Sequence, residues 1–506
     1  MSNTALFTAL FIAIGFVSGN NTLPIIASPY IVGDLGGSND IAFYAITFYN
    51  IGNALGVPIG KACIGRVKPH IYYLIVMSLF AFFTWSCAVV PTYPLFLICR
   101  VLQGIMAGSV FPLSAKIFFQ LSPPENSNLI STIMVTIFTV VPSFCAAWGG
   151  WISYDHHWQE LFYFNTPPLL LLGLYLFYKL KDRDIPLEKE PFDKWGYLSY
   201  ALCVVSFSLV LTMGQQLDWH RSPIIVSLAA LCVLSLGFFI PWELNTTHPL
   251  LDLRMLKKFT FSFALLNLAL LFSAYFGIVL LLAYWLNLWV SYTPNWIALM
   301  IGTMAFAGFL PTFLLRKGYH RIDCRIPLII AVALLAISCF YTTTFNVEIN
   351  FGRIAFSRLL AGFGLAFFLA PIFRLCFHSF APAQMLSVVS YFQLVRMLSS
   401  GLGAAVYLTI WQRREVFFHE RLGEELTPFS PITDQYYQDA KALDITGQEA
   451  TAELGALLDR QSIALALDDC FYLMAWVLTG LLALILITRI FKCRGFIPEN
   501  CESGDV

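Results

Sequence analysis

The chain is poor in charge. Only 12% of its 506 residues are Asp, Glu, Lys or Arg, about half the roughly 25% of a soluble domain, which argues against a water-soluble fold. Lys and Arg number 30, as do Asp and Glu, so no basic excess exists to bind a nucleic acid. The 12 cysteines include no Cys-x-x-Cys pair, so neither a zinc site nor a disulfide framework is indicated. Cys63, Cys87, Cys99, Cys145, Cys203, Cys232 and Cys339 sit in or at the ends of apolar runs, as small hydrophobes do. No metal and no cofactor is expected. No Lys or Arg precedes Lys61, so the N-terminal stretch MSNTALFTALFIAIGFVSG lacks the basic region of a signal peptide and reads as a retained first transmembrane helix. Asp and Glu are missing from the interior of the first five apolar segments, although proton-coupled transport usually needs a titratable group in the membrane.

What is abundant is hydrophobicity. Apolar residues make up 58% of the chain, with 46 Phe and 12 Trp, and the mean hydropathy is +0.72. A spanning helix needs about 20 mostly apolar residues. That criterion picks fourteen segments, near 5–28, 42–62, 71–90, 94–119, 128–152, 160–179, 195–214, 223–243, 259–284, 294–315, 326–344, 352–377, 384–411 and 467–490. Runs this long are helices, since barrel strands are about 10 residues and alternate. The fold class is therefore an all-α integral membrane protein.

Loop charges orient the segments. With both termini in the cytoplasm, the inner loops hold Arg66 and Lys68; Lys179, Lys181, Arg183, Lys189 and Lys194; Arg254, Lys257 and Lys258; and Arg316, Lys317, Arg321 and Arg325. The outer loops 29–41, 91–93 and 153–159 hold no Lys or Arg, and 215–222 holds only Arg221. This is a positive-inside pattern, expected of a multi-pass inner-membrane protein with an even number of spans. The charged segment 179–196 is an inner linker. Segment 412–466 faces the outer compartment, has helical ends and is too short to bury the core of a catalytic domain.

Two segments repeat. RVLQGIMAGSVFP (Arg100–Pro112) and RLLAGFGLAFFLAP (Arg358–Pro371) each set an Arg four residues before a Gly, then small residues, then a Pro. CAAWGG (Cys145–Gly150) and SSGLGAA (Ser399–Ala405) follow at the same offset of eight segments. Parallel six-helix repeats are the layout of major facilitator transporters. The expected organisation is a six-helix bundle over 1–180, a linker with two extra helices over 181–258, a second bundle over 259–495 carrying the outer loop, and an inner tail over 496–506.

Charge inside a membrane costs about 2.5–3.5 kcal/mol on insertion scales and is a functional lead. Arg100, Arg358 and Arg396 are such charges and are expected to face the interior, where they meet carbonyls, amides or a carboxylate. With Gln103 and Gly104 they form the expected transport or coupling set. Asn20 and Asn21 in the first segment, and Asn50 and Asn53 on one face of the second, are expected to line a substrate cavity with Tyr391 and Gln393. Gly108, Gly149, Gly150, Gly362, Gly401 and Gly403 permit close helix approach. A membrane-embedded enzyme would need clustered His, Asp or Glu, and Asp155, His156, His157 and Glu160 form the sole such group.

The motifs together resemble the fourteen-spanner drug:proton antiporter branch of the major facilitator superfamily, the EmrB/QacA type, nearly end to end. RVLQGIMAGSVFPLS is similar to that family's fourth-span motif, whose Arg the resemblance assigns to proton coupling and places at Arg100. GGWISYDHHW is similar to the fifth-span motif with its Gly-Gly pair and Trp158; FNTPP to the sixth-span FxNxP; and VRMLSSGLGAAV with WQRRE to the thirteenth span. Three departures stand out: Asn20 occupies the position of the family's first-span acid, CAAWGG lacks a proline, and GKACIGRVKPH lacks the loop Asp. The resemblance implies a small-molecule substrate in a lipid bilayer and brings in proton coupling and a periplasmic adaptor as candidate partners. Multidrug or metabolite efflux and uptake of a siderophore or nutrient both stay open.

Overall fold

The computed structural model describes residues 3–121, 127–183, 185, 189, 191–314, 323–378, 380–381 and 384–490. The loop cations Arg316, Lys317 and Arg321 and the tail 496–506 lie outside them. Among the described residues there is no strand and there are sixteen α-helices. They are α1 (Asn3–Thr22), α2 (Ser28–Asp34), α3 (Tyr44–Cys63), α4 (Pro69–Val89), α5 (Tyr93–Leu121), α6 (Ser127–Asp155), α7 (Glu160–Lys181) and α8 (Lys194–Met213). Then come α9 (Pro223–Asn245), α10 (Phe259–Leu288), α11 (Pro294–Leu314), α12 (Arg325–Thr342), α13 (Phe351–His378), α14 (Met385–Glu425), α15 (Pro431–Ala442) and α16 (Gln448–Ile490). In a bilayer only helices or closed barrels satisfy every backbone group.

All but α2 and α15 coincide with one of the apolar segments. Among the described residues, twelve of these helices are long and apolar enough to cross a membrane. The two that fall short have identifiable reasons. Helix α3 dilutes its apolar residues with Asn50, Asn53, Gly52, Gly56 and Gly60, and α11 counts as a shorter apolar helix over Pro294–Phe309.

Two boundaries differ from the sequence reading. The first segment is not one helix to residue 28. Helix α1 stops at Thr22, before Pro24, whose missing N–H cannot continue the ladder; the Thr22 hydroxyl donates to the carbonyl of Pro142, 2.7 Å away, and the chain restarts at α2. Segment 412–466 has the helical ends expected of it, but they are continuous with the spans on either side. Helices α14 and α16 run 41 and 43 residues, about 60 Å each at 1.5 Å per residue, twice the ~30 Å hydrocarbon core. Their projecting ends are joined by the Arg414–Asp469 ion pair at 2.5 Å and a 3.1 Å contact between His419 and Asp459. Helix α15, between them in sequence, is bonded to α16 by the Tyr436 hydroxyl, which donates to the carbonyl of Ala450 at 3.0 Å.

Lipid gives helices no hydrophobic reason to associate, so small residues and polar contacts must hold them. The α3–α5 pair shows this most clearly. A methyl group on Gly52, Gly56 or Gly60 of α3 would land on the backbone of Val101, Ile105 or Ser109, and one on Gly104 or Gly108 of α5 on the carbonyl of Tyr49 or Asn53. The two backbones touch along more than two turns, close enough for Cα–H to carbonyl contacts. Helix α8 docks on the same α3 through the hydroxyl of Tyr200, which donates to the carbonyl of Ala54 at 2.9 Å. Helix α9 stays peripheral: 17% of its most apolar stretch is buried against 78% for α10, so α10 is a core helix and α9 a lipid-facing one.

The α3–α5 contact yields the first prediction. Gly56→Ala drives a Cβ into the Ile105 carbonyl, and overpacking of this kind costs about 1–3 kcal/mol. Gly237, with open space around it, is the control. Gly56→Ala lowers the thermal unfolding midpoint in detergent and Gly237→Ala does not; equal midpoints for the two variants would refute the close approach.

Candidate functional site

Arg100, fully buried two turns into α5, ties its own helix to α1 and α3. Its Nε donates to the carbonyl of Ala45 (2.9 Å), Nη1 to Oε1 of Gln103 (2.6 Å) and Nη2 to the carbonyl of Asn20 (3.1 Å). The Tyr49 ring lies 4.5 Å below the guanidinium. Gln103 completes the knot by donating to the Thr84 hydroxyl at 2.8 Å and to Oδ1 of Asn20 at 3.4 Å. Asn20 thus serves as a neutral acceptor through both its backbone and its side chain.

A second guanidinium lies across the seam between the N-terminal helices α1–α7 and the C-terminal helices α10–α16. Arg396 of α14 donates through Nε and Nη2 to one atom, Oε1 of Gln393, at 3.2 and 3.0 Å. Gln393 in turn donates from Nε2 to Oδ1 of Asn53 on α3 at 3.0 Å. Rings of Phe138, Phe272 and Phe111 surround the Arg396 guanidinium at 4.2, 5.6 and 5.8 Å, within cation–π range. Phe373 stacks on Phe392 at 4.4 Å and on Phe138 at 6.0 Å, extending the aromatic wall across the seam. A further bond crosses it nearby, between the hydroxyls of Ser143 and Tyr275 at 2.8 Å.

Other expected cavity residues fall into two groups. Asn50 is buried on the α3 face toward Gly401, and neither atom of its amide has a partner among the described residues. Oδ1 of Asn21 and the hydroxyl of Thr47 are likewise buried without partners. Tyr391 is set apart: its ring meets Phe261 edge-on at 5.7 Å. Arg358 is also elsewhere, between α12, α13 and α16. Its Nη2 donates to the hydroxyls of Thr342 and Ser357, each at 2.9 Å, while Nε and Nη1 are buried without partners.

The small residues lie at helix contacts. A methyl on Gly149 would strike the Leu23 carbonyl, where α1 breaks; Gly150 meets Ile26 and Ala298, Gly362 meets Met304 and Ala307, and Gly403 meets Ser273. His156 is 3.8 Å from Glu160 at an exposed helix end, and no group of three or more metal-ligating side chains occurs among the described residues. Tyr49, one of the aromatics with Tyr44, Tyr275 and Trp285 that the sequence offered for stacking, lies against Arg100; residues not anticipated from sequence are Thr84, Phe138, Ser143 and Gly52. Of these only Gly52 had a readable signal, its four-residue spacing to Gly56 and Gly60.

Comparison with known proteins places this geometry. The model of the Major Facilitator Superfamily matches residues 9–404. The multidrug export protein EmrB of Escherichia coli (strain K12) is 27% identical over 472 residues, covering 93% of this chain and 92% of that protein. EmrB of Haemophilus influenzae is 28% identical over 471 residues, covering 93% and 92%. The fatty acid resistance protein FarB of Neisseria gonorrhoeae is 27% identical over 458 residues, covering 88% and 90%. In fold, the chain is similar to a bacterial homolog of the human lysosomal transporter Spinster in an inward-facing and occupied conformation, with a TM-score of 0.61 at 14% identity over 96% of this chain and 98% of that one.

The bond across the seam can be measured. A double-mutant cycle on Asn53→Ala and Gln393→Ala, read by unfolding in mixed detergent, gives a coupling of about 0.6 kcal/mol, the average for interhelical hydrogen bonds in membranes. Strictly additive effects would show that the two side chains do not pair.

Proposed function

The chain belongs to the Major Facilitator Superfamily, and on that premise we propose that it exports amphipathic organic molecules across an inner membrane, alternating access to one site at the seam. Membership makes it a multi-pass secondary transporter of small molecules and not an enzyme. One observation carries the location of the site. The helices α1–α7 and α10–α16 meet through a layer of buried guanidinium, amide and aromatic groups centred on Arg396, Gln393 and Asn53. Buried polar groups left without partners are costly, and a transported molecule that enters the layer can satisfy them.

Export is supported by the relatives, two of which are named for multidrug export and one for fatty acid resistance. The loop charges support an inner location for both termini, which puts the projecting ends of α14 and α16 in the outer compartment, where an adaptor would meet them. In the proposed cycle α1–α7 rock against α10–α16. Arg100 serves this motion by holding α1, α3 and α5 as one body, and the small residues Gly150, against Ala298, and Gly401, against Asn50, form the faces that approach and part.

Asn20 bears on coupling. It replaces an acid and already contacts Arg100 and Gln103, so a carboxylate there would sit beside a guanidinium and could exchange a proton as the contacts change.

Direction is tested in cells lacking their own efflux pumps. Expression lowers the accumulation of fluorescent amphiphiles several-fold, and everted vesicles take them up; raised cellular accumulation would establish uptake instead. Coupling is tested in the same vesicles with Asn20→Asp. The variant makes transport depend more strongly on an imposed pH gradient, and an unchanged dependence would remove Asn20 from the coupling account.

A further inference from the structure

Resting on the transport reading above, we infer that the seam site is built for an anion, an ionised amphipathic acid whose head is received by Arg396 and whose apolar body lies against Phe111, Phe138 and Phe272.

Charge comes first. Among the described residues of the membrane-spanning helices, the carboxylates are confined to helix ends, as at Asp155, Glu160 and Glu243, or to the junction where α16 leaves the bundle, at Asp468 and Asp469. Within the bundle Arg100 and Arg396 are both buried, while the buried Arg358 lies away from the seam, bonded to Thr342 and Ser357. Two buried positive charges without a negative one repel a cation and favour an anion, and a low-dielectric interior strengthens that preference.

Hydrogen bonding then separates the two arginines. Arg100 spends its Nε, Nη1 and Nη2 on three different acceptors and is a structural tie. Arg396 spends Nε and Nη2 on a single oxygen, and among the described residues its Nη1 makes no hydrogen bond. A guanidinium offers five N–H groups in a planar fork, a shape that fits the oxygens of a carboxylate or sulfonate. Gln393 is itself held by Asn53, so the fork keeps its orientation while its free side waits for an oxyanion.

Further donors stand on the facing helix. The Asn50 amide and the Thr47 hydroxyl lie three residues apart on one face of α3, buried and without partners among the described residues, and the missing side chain of Gly401 on α14 lets the Asn50 amide lie against that helix. The rings around Arg396 supply an apolar wall for the rest of the molecule.

The test uses the full chain in nanodiscs and two fluorescent probes of nearly equal shape, dansylate (an anionic sulfonate) and dansylamide (neutral). The wild type binds dansylate at least 10-fold more tightly, Arg396→Gln brings the ratio close to one, and Arg396→Lys retains part of it. The inference is overturned if the wild type shows no preference, or if Arg396→Gln keeps the preference. The wild-type ratio decides even if Arg396→Gln fails to fold. Everted vesicles separate this from the transport reading: movement of dansylamide or of the cation tetraphenylphosphonium without any preference for dansylate leaves transport standing and removes the anion, whereas no movement of any amphiphile removes the transport reading itself.

Discussion

The approach of α3 to α5 sets the positions on which the site depends. Because Gly52, Gly56 and Gly60 face the carbonyls of α5, and Gly104 and Gly108 face those of α3, the two backbones run in contact. That contact brings the Ala45 carbonyl within 2.9 Å of Arg100 and lays Tyr49 beneath it. It also fixes the backbone of Asn53 against Gly104 and Gly108, from which the Asn53 side chain reaches Gln393. A side chain at any of these glycines would push α3 outward and loosen both guanidinium centres together. The same physics explains why α3 is not among the twelve helices apolar enough to cross a membrane on composition alone: its glycines and amides are spent on contacts that lipid itself does not supply.

The polar centre is positive and almost entirely neutral around its charges. Arg100 is balanced by two carbonyls, an amide oxygen and a ring, and Arg396 by one amide oxygen and three rings. Neutral acceptors stabilise a guanidinium without cancelling its charge, so the field persists into the seam. An acid at position 20 would have cancelled part of it. Asn20 keeps the hydrogen bond geometry that an acid would have offered to Gln103 and leaves the positive charge uncompensated.

Much of this was legible in sequence for physical reasons. Span positions follow from the length of apolar runs, and Arg100, Arg396, Asn53 and Gln393 announced themselves as polar groups where burial is expensive. The boundaries that were missed depend on competition between local signals. Pro24 lies inside an apolar run, so hydropathy carried the first segment past the real break. WQRREVFFHERL is polar enough to end a span yet contains no Pro or Gly, so α14 continues as a helix to Glu425. Partner identity was not legible at all. Nothing in the sequence couples Ser143 to Tyr275 or Phe138 to Arg396, because a buried aromatic in a core, an interfacial anchor and a cation–π partner use the same residue types.

The strengths of these contacts are unequal in a way that suits the proposed motion. Within the N-terminal helices the ties are many and short: five hydrogen bonds join Arg100 and Gln103 to α1, α3, α4 and each other, beside a continuous backbone contact. Across the seam the hydrogen bonds are single and join neutral groups, beside the Arg396 guanidinium over the Phe138 and Phe111 rings. Asn53 with Gln393, Ser143 with Tyr275 and Tyr30 with Asn287 are each one hydrogen bond, worth about 0.6 kcal/mol apiece in a membrane. Breaking all three costs roughly 2 kcal/mol, a price that one well-placed substrate contact or a new set of neutral pairs can return. An ion pair at the seam would be harder to part once desolvated. Neutral links between two internally rigid groups of helices give states close in energy, as population shift by a small ligand demands.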